Sequence, residues 1–99
     1  MAAELVLAPE AEEDVALAYG WLEARRLGLG EDFLARVDAC LQSVRRNPRL
    51  YPVVHEEYRR ALVRRFPYAV FYEHTEQRVL VYAILHTSRD PLRWRERLT

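Results

Sequence analysis

The sequence predicts an α+β fold, in which an N-terminal strand and an antiparallel helical hairpin pack on a mainly antiparallel four-stranded sheet (β-α-α-β-β-β), followed by a short C-terminal helix. Three observations predict it. Apolar residues recur at helical spacing between Ala11 and Val44, the period shortens to that of strands after Pro52, and a seven-residue apolar run fills 79–85. Helices followed by a block of strands, rather than helices alternating with strands, is the order of an α+β chain.

Leu5-Val6-Leu7 is a short apolar run suited to a first strand, and Pro9 follows where a helix start tolerates a missing N–H. Ala11, Val15, Ala18 and Leu22 recur at spacings of four, three and four, one stripe along a helix with Tyr19 and Trp21 on its flanks. Leu27-Gly28-Leu29-Gly30 ends that helix and begins the next. There Leu34, Val37, Leu41 and Val44 form a second stripe, widened by Phe33 and Cys40, until Asn47-Pro48 stops it. So short a link between two helices makes them an antiparallel hairpin.

Tyr58 to Arg65 and Tyr68 to Glu73 read as strands separated by Phe66-Pro67, and Val79 to Leu85 reads as a central strand after a turn at residues 74–77. Arg59, Arg60, Arg64 and Arg65 then alternate across one strand. Asp90-Pro91 supplies a cap and a first helical proline for a final helix through Trp94 and Arg97. The chain carries no internal repeat and no linker, so residues 1–99 are expected to form a single domain with one core.

Composition narrows the functional classes. The chain is 51% hydrophobic and 30% charged, with a formal net charge of +0, which gives no general attraction for nucleic acid or acidic lipid. The charge is polarised all the same: residues 1–31 hold seven acids against two arginines, and residues 58–99 hold nine arginines against four acids. Cys40 is the only cysteine, so no internal disulfide forms, and on a helical apolar face it reads as a small hydrophobe. His55, His74 and His86 stand far apart with no metal-ligand spacing, so neither metal nor cofactor is expected. No segment reaches the roughly 20 apolar residues of a membrane span, and the acidic start is unlike a signal peptide's basic flank. The expected compartment is the cytoplasm.

Strict alternation along the last strand puts Val79, Val81, Ala83 and Leu85 on one face and Leu80, Tyr82 and Ile84 on the other. Both faces are then apolar, and the hairpin covers only one. The second face is left to the C-terminal helix through Leu92, Trp94 and Leu98, to a partner protein, or to a second copy of the chain.

Leu29-Gly30-Glu31-Asp32-Phe33, Asn47-Pro48, Tyr51-Pro52, Arg59-Arg60, Phe66-Pro67-Tyr68, Tyr72 and His86 stand in order before Arg89-Asp90-Pro91-x-x-Trp94-x-x-Arg97. This series resembles the plasmid-stabilisation, ParE-like branch of the RelE/ParE toxin superfamily over nearly the whole chain. The resemblance implies the same fold, a cognate antitoxin encoded beside the gene, and the toxin role in a type II toxin–antitoxin system. It further implies assembly with the antitoxin as a hetero-oligomer, or a homodimer.

The superfamily divides by target. ParE-type members inhibit DNA gyrase by binding it, with no known chemistry of their own, whereas RelE-type members are metal-independent endoribonucleases that cut mRNA on the ribosome. Ribonuclease members carry an arginine three residues before a strand tyrosine, and counting back from Tyr72 gives Ala69, which cannot neutralise a phosphate. The resemblance therefore favours a gyrase-binding inhibitor over an enzyme, with Arg60, Arg65, Tyr68, His86, Arg89 and Trp94 as the target-binding rim. A ribonuclease would have to recruit Arg60, Arg65, His86 and Arg89. A non-toxic binding module of the same fold is the third alternative. His86 reads either as a hydrogen-bonded structural histidine or as a general base, since no carboxylate partner is identifiable.

Overall fold

The computed structural model describes residues 3–88 and 91–98, with the backbone alone for 91–93. Its elements are β1 (Glu4–Leu7), α1 (Pro9–Arg25), α2 (Leu29–Arg46), β2 (Val53–His55), β3 (Tyr58–Leu62), β4 (Tyr68–His74), β5 (Arg78–His86) and α3 (Pro91–Leu98). The expected α+β arrangement is present, and its sheet has five strands rather than four, in the order β1-β5-β4-β3-β2. The additional strand, β2, is three residues long and turns back into β3 through Glu56 at φ 51°. Three residues are too few to display a period. The sheet is mixed because β1 joins β5 in parallel while its other pairings are antiparallel.

Local chemistry sets the hairpin. Pro9 occupies the first turn of α1, with Glu10 and Glu12 at the positive end of its dipole. Gly28, at φ 92°, adopts the left-handed backbone that a side chain resists, and it offers α2 no side-chain cap. Glu23 supplies the missing acceptor. Its carboxylate takes the N–H groups of Gly28 (3.0 and 3.1 Å) and Gly30 (2.9 Å), so the end of α1 caps the start of α2. At Gly30 an added Cβ would sit 2.8 Å from the Tyr19 ring, so any side chain there would push that ring aside.

The main core lies between the hairpin and one face of the sheet. Ala11, Ala18 and Leu22 of α1 and Phe33, Val37, Leu41 and Val44 of α2 pack on Ala61, Val70, Tyr72, Val79, Val81 and Ile84. Phe33 meets Tyr68 and Phe66 edge to face at centroid distances of 4.9 and 5.4 Å.

On the last strand the strict alternation fails. Tyr72 pairs with Val81 and Phe71 with Ala83, so Tyr82 is the extra residue of a β-bulge. Val79 and Val81 therefore face the hairpin together with Ile84, while Tyr82, Ala83 and Leu85 belong to the opposite face. One inserted residue exchanges the two sets from that point onward.

The chain itself covers that opposite face. Ala69, Phe71 and Ala83 are almost fully buried beneath α3, with Leu98 buried beside them and Trp94 stacked on Phe71 at 5.1 Å and 22°. Neither a partner nor a second copy is needed there. The expected Asp90 cap lies outside the described residues, as does the Leu92 side chain.

The strand expected over 58–65 ends at Leu62, where the chain turns. Val63 N–H donates to the Tyr68 carbonyl (2.9 Å), and Arg65 sits at φ 69° in the left-handed region. The expected alternation of four arginines thus holds only for Arg59 and Arg60. Arg59 donates to the carbonyl of Tyr51 at 2.6 Å and pairs across the sheet with Tyr72, whereas Arg60 pairs with Phe71.

Candidate functional site: a groove beside the last strand

The parallel pairing of β1 with β5 ends at Leu7 opposite Val81. The Ala8 N–H donates to the Val81 carbonyl at 2.9 Å, and Pro9 then starts α1. From Tyr82 to His86, β5 has no strand along its outer edge among the described residues.

Side chains partly replace the missing strand. Asp14 of α1 accepts the Ile84 N–H at 3.0 Å and also takes both terminal nitrogens of Arg97 on α3, at 3.1 and 3.0 Å. Arg97 reaches the Tyr82 carbonyl as well, at 3.4 Å. A two-pronged guanidinium–carboxylate contact and two backbone groups thereby bind α1, β5 and α3 across one edge.

Beyond this clasp a groove of about 520 Å³ opens between α1 and the end of β5. Leu17 and Trp21 form its outer wall, one turn apart on α1, and they remain 66% and 54% exposed. The guanidinium of Arg25 lies 4.6 Å from the Trp21 ring centroid, a cation over an aromatic face. Tyr68 and His86 line the inner wall, paired across β4 and β5 with their rings 5.1 Å apart and edge to face. The His86 Nδ1 accepts the Ser88 N–H at 3.1 Å and lies 2.7 Å from the Ser88 hydroxyl. With Nδ1 taken as the acceptor for Ser88, Nε2 is the ring nitrogen that carries a proton and donates.

The residues expected to form one rim are divided by the sheet. Tyr68 and His86 share the groove. Arg60 and Trp94 belong to the α3 side, Arg60 opposite Phe71 in register and Trp94 stacked on Phe71 and 6.3 Å from the His55 ring. Arg65 is exposed in the turn between β3 and β4, and Arg89 lies outside the described residues. Ala69 is 1% exposed on the α3 side, away from Tyr72. Tyr72 itself donates its hydroxyl to the Pro48 carbonyl at 2.7 Å, and burial raises its pKa far above the usual tyrosine range. It is a structural anchor with no ready proton to give.

Leu17, Trp21, Asp14 and Arg97 were not among the residues the sequence marked for binding. The four-residue spacing of Leu17 and Trp21 is a second apolar stripe on α1, legible beside the buried one. Asp14 and Arg97 meet across 83 positions, a separation that no local pattern encodes. Among the described residues, no group of three or more His, Cys, Asp or Glu could hold a metal ion, and no helix is long and apolar enough to cross a membrane.

Residues 5–91 match the model of a family described as the ParE toxin of type II toxin–antitoxin system, parDE. Among solved structures, the chain is similar to one from the chromosomal ParDE TA system of P. aeruginosa. The TM-score is 0.64 at 15% identity, over 87% of this chain and 97% of that one, a likeness of fold. Among curated proteins, none matches the sequence significantly.

Proposed function

The chain belongs to the ParE toxin family of type II toxin–antitoxin systems, and we propose that it acts by binding and inhibiting DNA gyrase and is neutralised when a segment of its cognate antitoxin fills the α1–β5 groove. On this reading residues 1–99 work as one toxin domain in the cytoplasm, without catalytic chemistry. Tyr68 and His86 contact the bound segment from the inner wall, and Leu17 and Trp21 grip it from the outer one. Arg60, Arg65, Arg89 and Trp94 are left for the target surface.

The observation that carries the choice of binding over cleavage is the separation of the residues a ribonuclease would need. Arg60 lies on the α3 side of the sheet, His86 in the groove on the other side, and Arg65 in an exposed turn. In-line cleavage by a neighbouring 2'-hydroxyl requires a base, an acid and a charge-neutralising group around one phosphate.

Purified protein tested in a gyrase supercoiling assay and in a ribosome-bound mRNA cleavage assay decides the matter. Inhibited supercoiling with intact mRNA is the expected result. Defined cuts in A-site codons would transfer the protein to the ribonuclease branch, and inactivity in both assays with unaffected growth on induction would make it a non-toxic module. Antitoxin docking is tested separately. Trp21→Ser should weaken complex formation with the antitoxin by at least about tenfold, the loss of one buried aromatic anchor. If the free protein is a dimer that Trp21→Ser turns into monomer, the groove belongs to a second copy.

A further inference from the structure

A second cleft lies on the other side of the helical hairpin and is independent of the groove just described. Arg36, Cys40 and Ser43 form one stripe of α2, spaced by four and three residues, and face Tyr51, Leu62 and Arg64 across about 430 Å³. The Cys40 thiol lies 3.7 Å from the Leu62 carbonyl, which ties the helix to the end of β3. Leu62 is nevertheless 60% exposed. Neither Arg36 nor Arg64 makes an ion pair or hydrogen bond among the described residues, and no carboxylate lines the cleft.

Two unpaired guanidinium groups at a partly apolar cleft are an incomplete set of contacts. We infer that this cleft is a docking site for an extended acidic protein segment, whose carboxylates pair with Arg36 and Arg64 while its intervening apolar side chains cover Leu62 and Tyr51. The argument is one of charge complementarity. A guanidinium offers a planar fork of donors that a carboxylate matches in two-pronged fashion. Acidic and apolar residues alternating along an extended chain would present both kinds of contact, since successive side chains point to opposite sides.

A nucleic acid fits less well. Binding to a phosphate backbone draws on many cations and on a net positive field, whereas this cleft holds two arginines in a chain of formal net charge +0. A sugar–phosphate strand would also leave Leu62 uncovered.

The test uses the full-length protein and a fluorescein-labelled peptide of alternating Glu and Leu, with an alternating Lys and Leu peptide and a labelled uridine oligonucleotide as comparisons, all read by fluorescence anisotropy. The Glu–Leu peptide is expected to bind and to be released by salt. Arg36→Gln and Arg64→Gln should each weaken it about fivefold, the effect of one partly exposed ion pair. Both arginines are surface residues, so melting temperatures should stay at the parent value. Exchanging both for Glu should abolish that binding and create binding of the Lys–Leu peptide. Leu17→Ser and Trp21→Ser, in the other groove, should leave the Glu–Leu affinity unchanged. The proposal is overturned if the double Gln variant binds the acidic peptide as the parent does, if the substitutions at Leu17 or Trp21 abolish binding, or if the oligonucleotide binds with the same dependence on the two arginines. None of these outcomes bears on gyrase inhibition, so the two readings fail separately.

Discussion

Asp14 serves two partners at once, and replacing it with alanine separates their contributions. The substitution leaves the Ile84 N–H without its acceptor on a strand edge, and it leaves Arg97 without its counter-ion. A hydrogen bond to a charged group contributes about 1.5–3 kcal/mol, and the Asp14 side chain is only 11% exposed, so most of that contribution is felt. The pair with Arg97 is weaker, because the Arg97 side chain is 31% exposed and solvent screens it to roughly 0.5 kcal/mol. Asp14→Ala should therefore lose about 2–3 kcal/mol, a substantial part of the 5–15 kcal/mol typical of a domain. The melting temperature should fall by about 15 °C. Arg97→Ala should lose no more than about 1 kcal/mol, and Asp14→Asn, which keeps an oxygen for Ile84, should fall between the two. Urea denaturation of the three single variants and of the Asp14→Ala, Arg97→Ala double variant measures each contribution and their coupling. Equal losses for Asp14→Ala and Arg97→Ala would refute the reasoning, because the backbone contact would then contribute nothing.

Three further outcomes follow from the core. Burial raises the pKa of Tyr72, and burial together with Glu73 raises that of Tyr82 to about 12, whereas unfolded tyrosines titrate near 10. Below pH 10 both states keep their phenolic protons; above it the unfolded state loses them first, so stability should fall as pH rises through 10 to 12, by about 1.4 kcal/mol per unit for Tyr72 alone. Circular dichroism of Tyr72→Phe over that range should show a correspondingly shallower fall. Burial pushes the Cys40 thiol from 9.0 to about 11, so at pH 8 its reaction with a disulfide reagent should run about a hundredfold slower than in urea-unfolded protein. Among the described residues the buried His55 Nε2 finds no hydrogen-bond partner, so His55→Phe should raise stability by about 1 kcal/mol, read as a higher urea midpoint.

Elements with a period of their own were readable from the chain. The stripes of α1 and α2, the glycine turn between them and the three longer strands all follow from side chains close together in sequence. What escaped was fixed by partners far away. The bulge at Tyr82 lies in the pairing of β5 with β4, and no residue type near Tyr82 announces it. Arg64 and Arg65 were read as the end of a strand running from Tyr58, yet the Val63–Tyr68 hydrogen bond closes a turn there. The candidate site was legible in half of its walls. Tyr68 and His86 were marked, but the groove they line is made by α1 passing over an edge that β1 leaves bare, a relation of topology. The C-terminal helix was one of three expected covers for the second sheet face, and Trp94 stacks there on Phe71.

The first strand pairs with the last: Glu4 stands beside Arg78 and Leu7 beside Val81. A nascent chain can wind α1 onto α2 early, since their contacts are local, but β1 has nothing to lie against until residue 81 has cleared the ribosome. The sheet therefore closes late, through a contact of long sequence separation. A fragment released before residue 81 has emerged would leave β1 unpaired and could not build the groove beside β5.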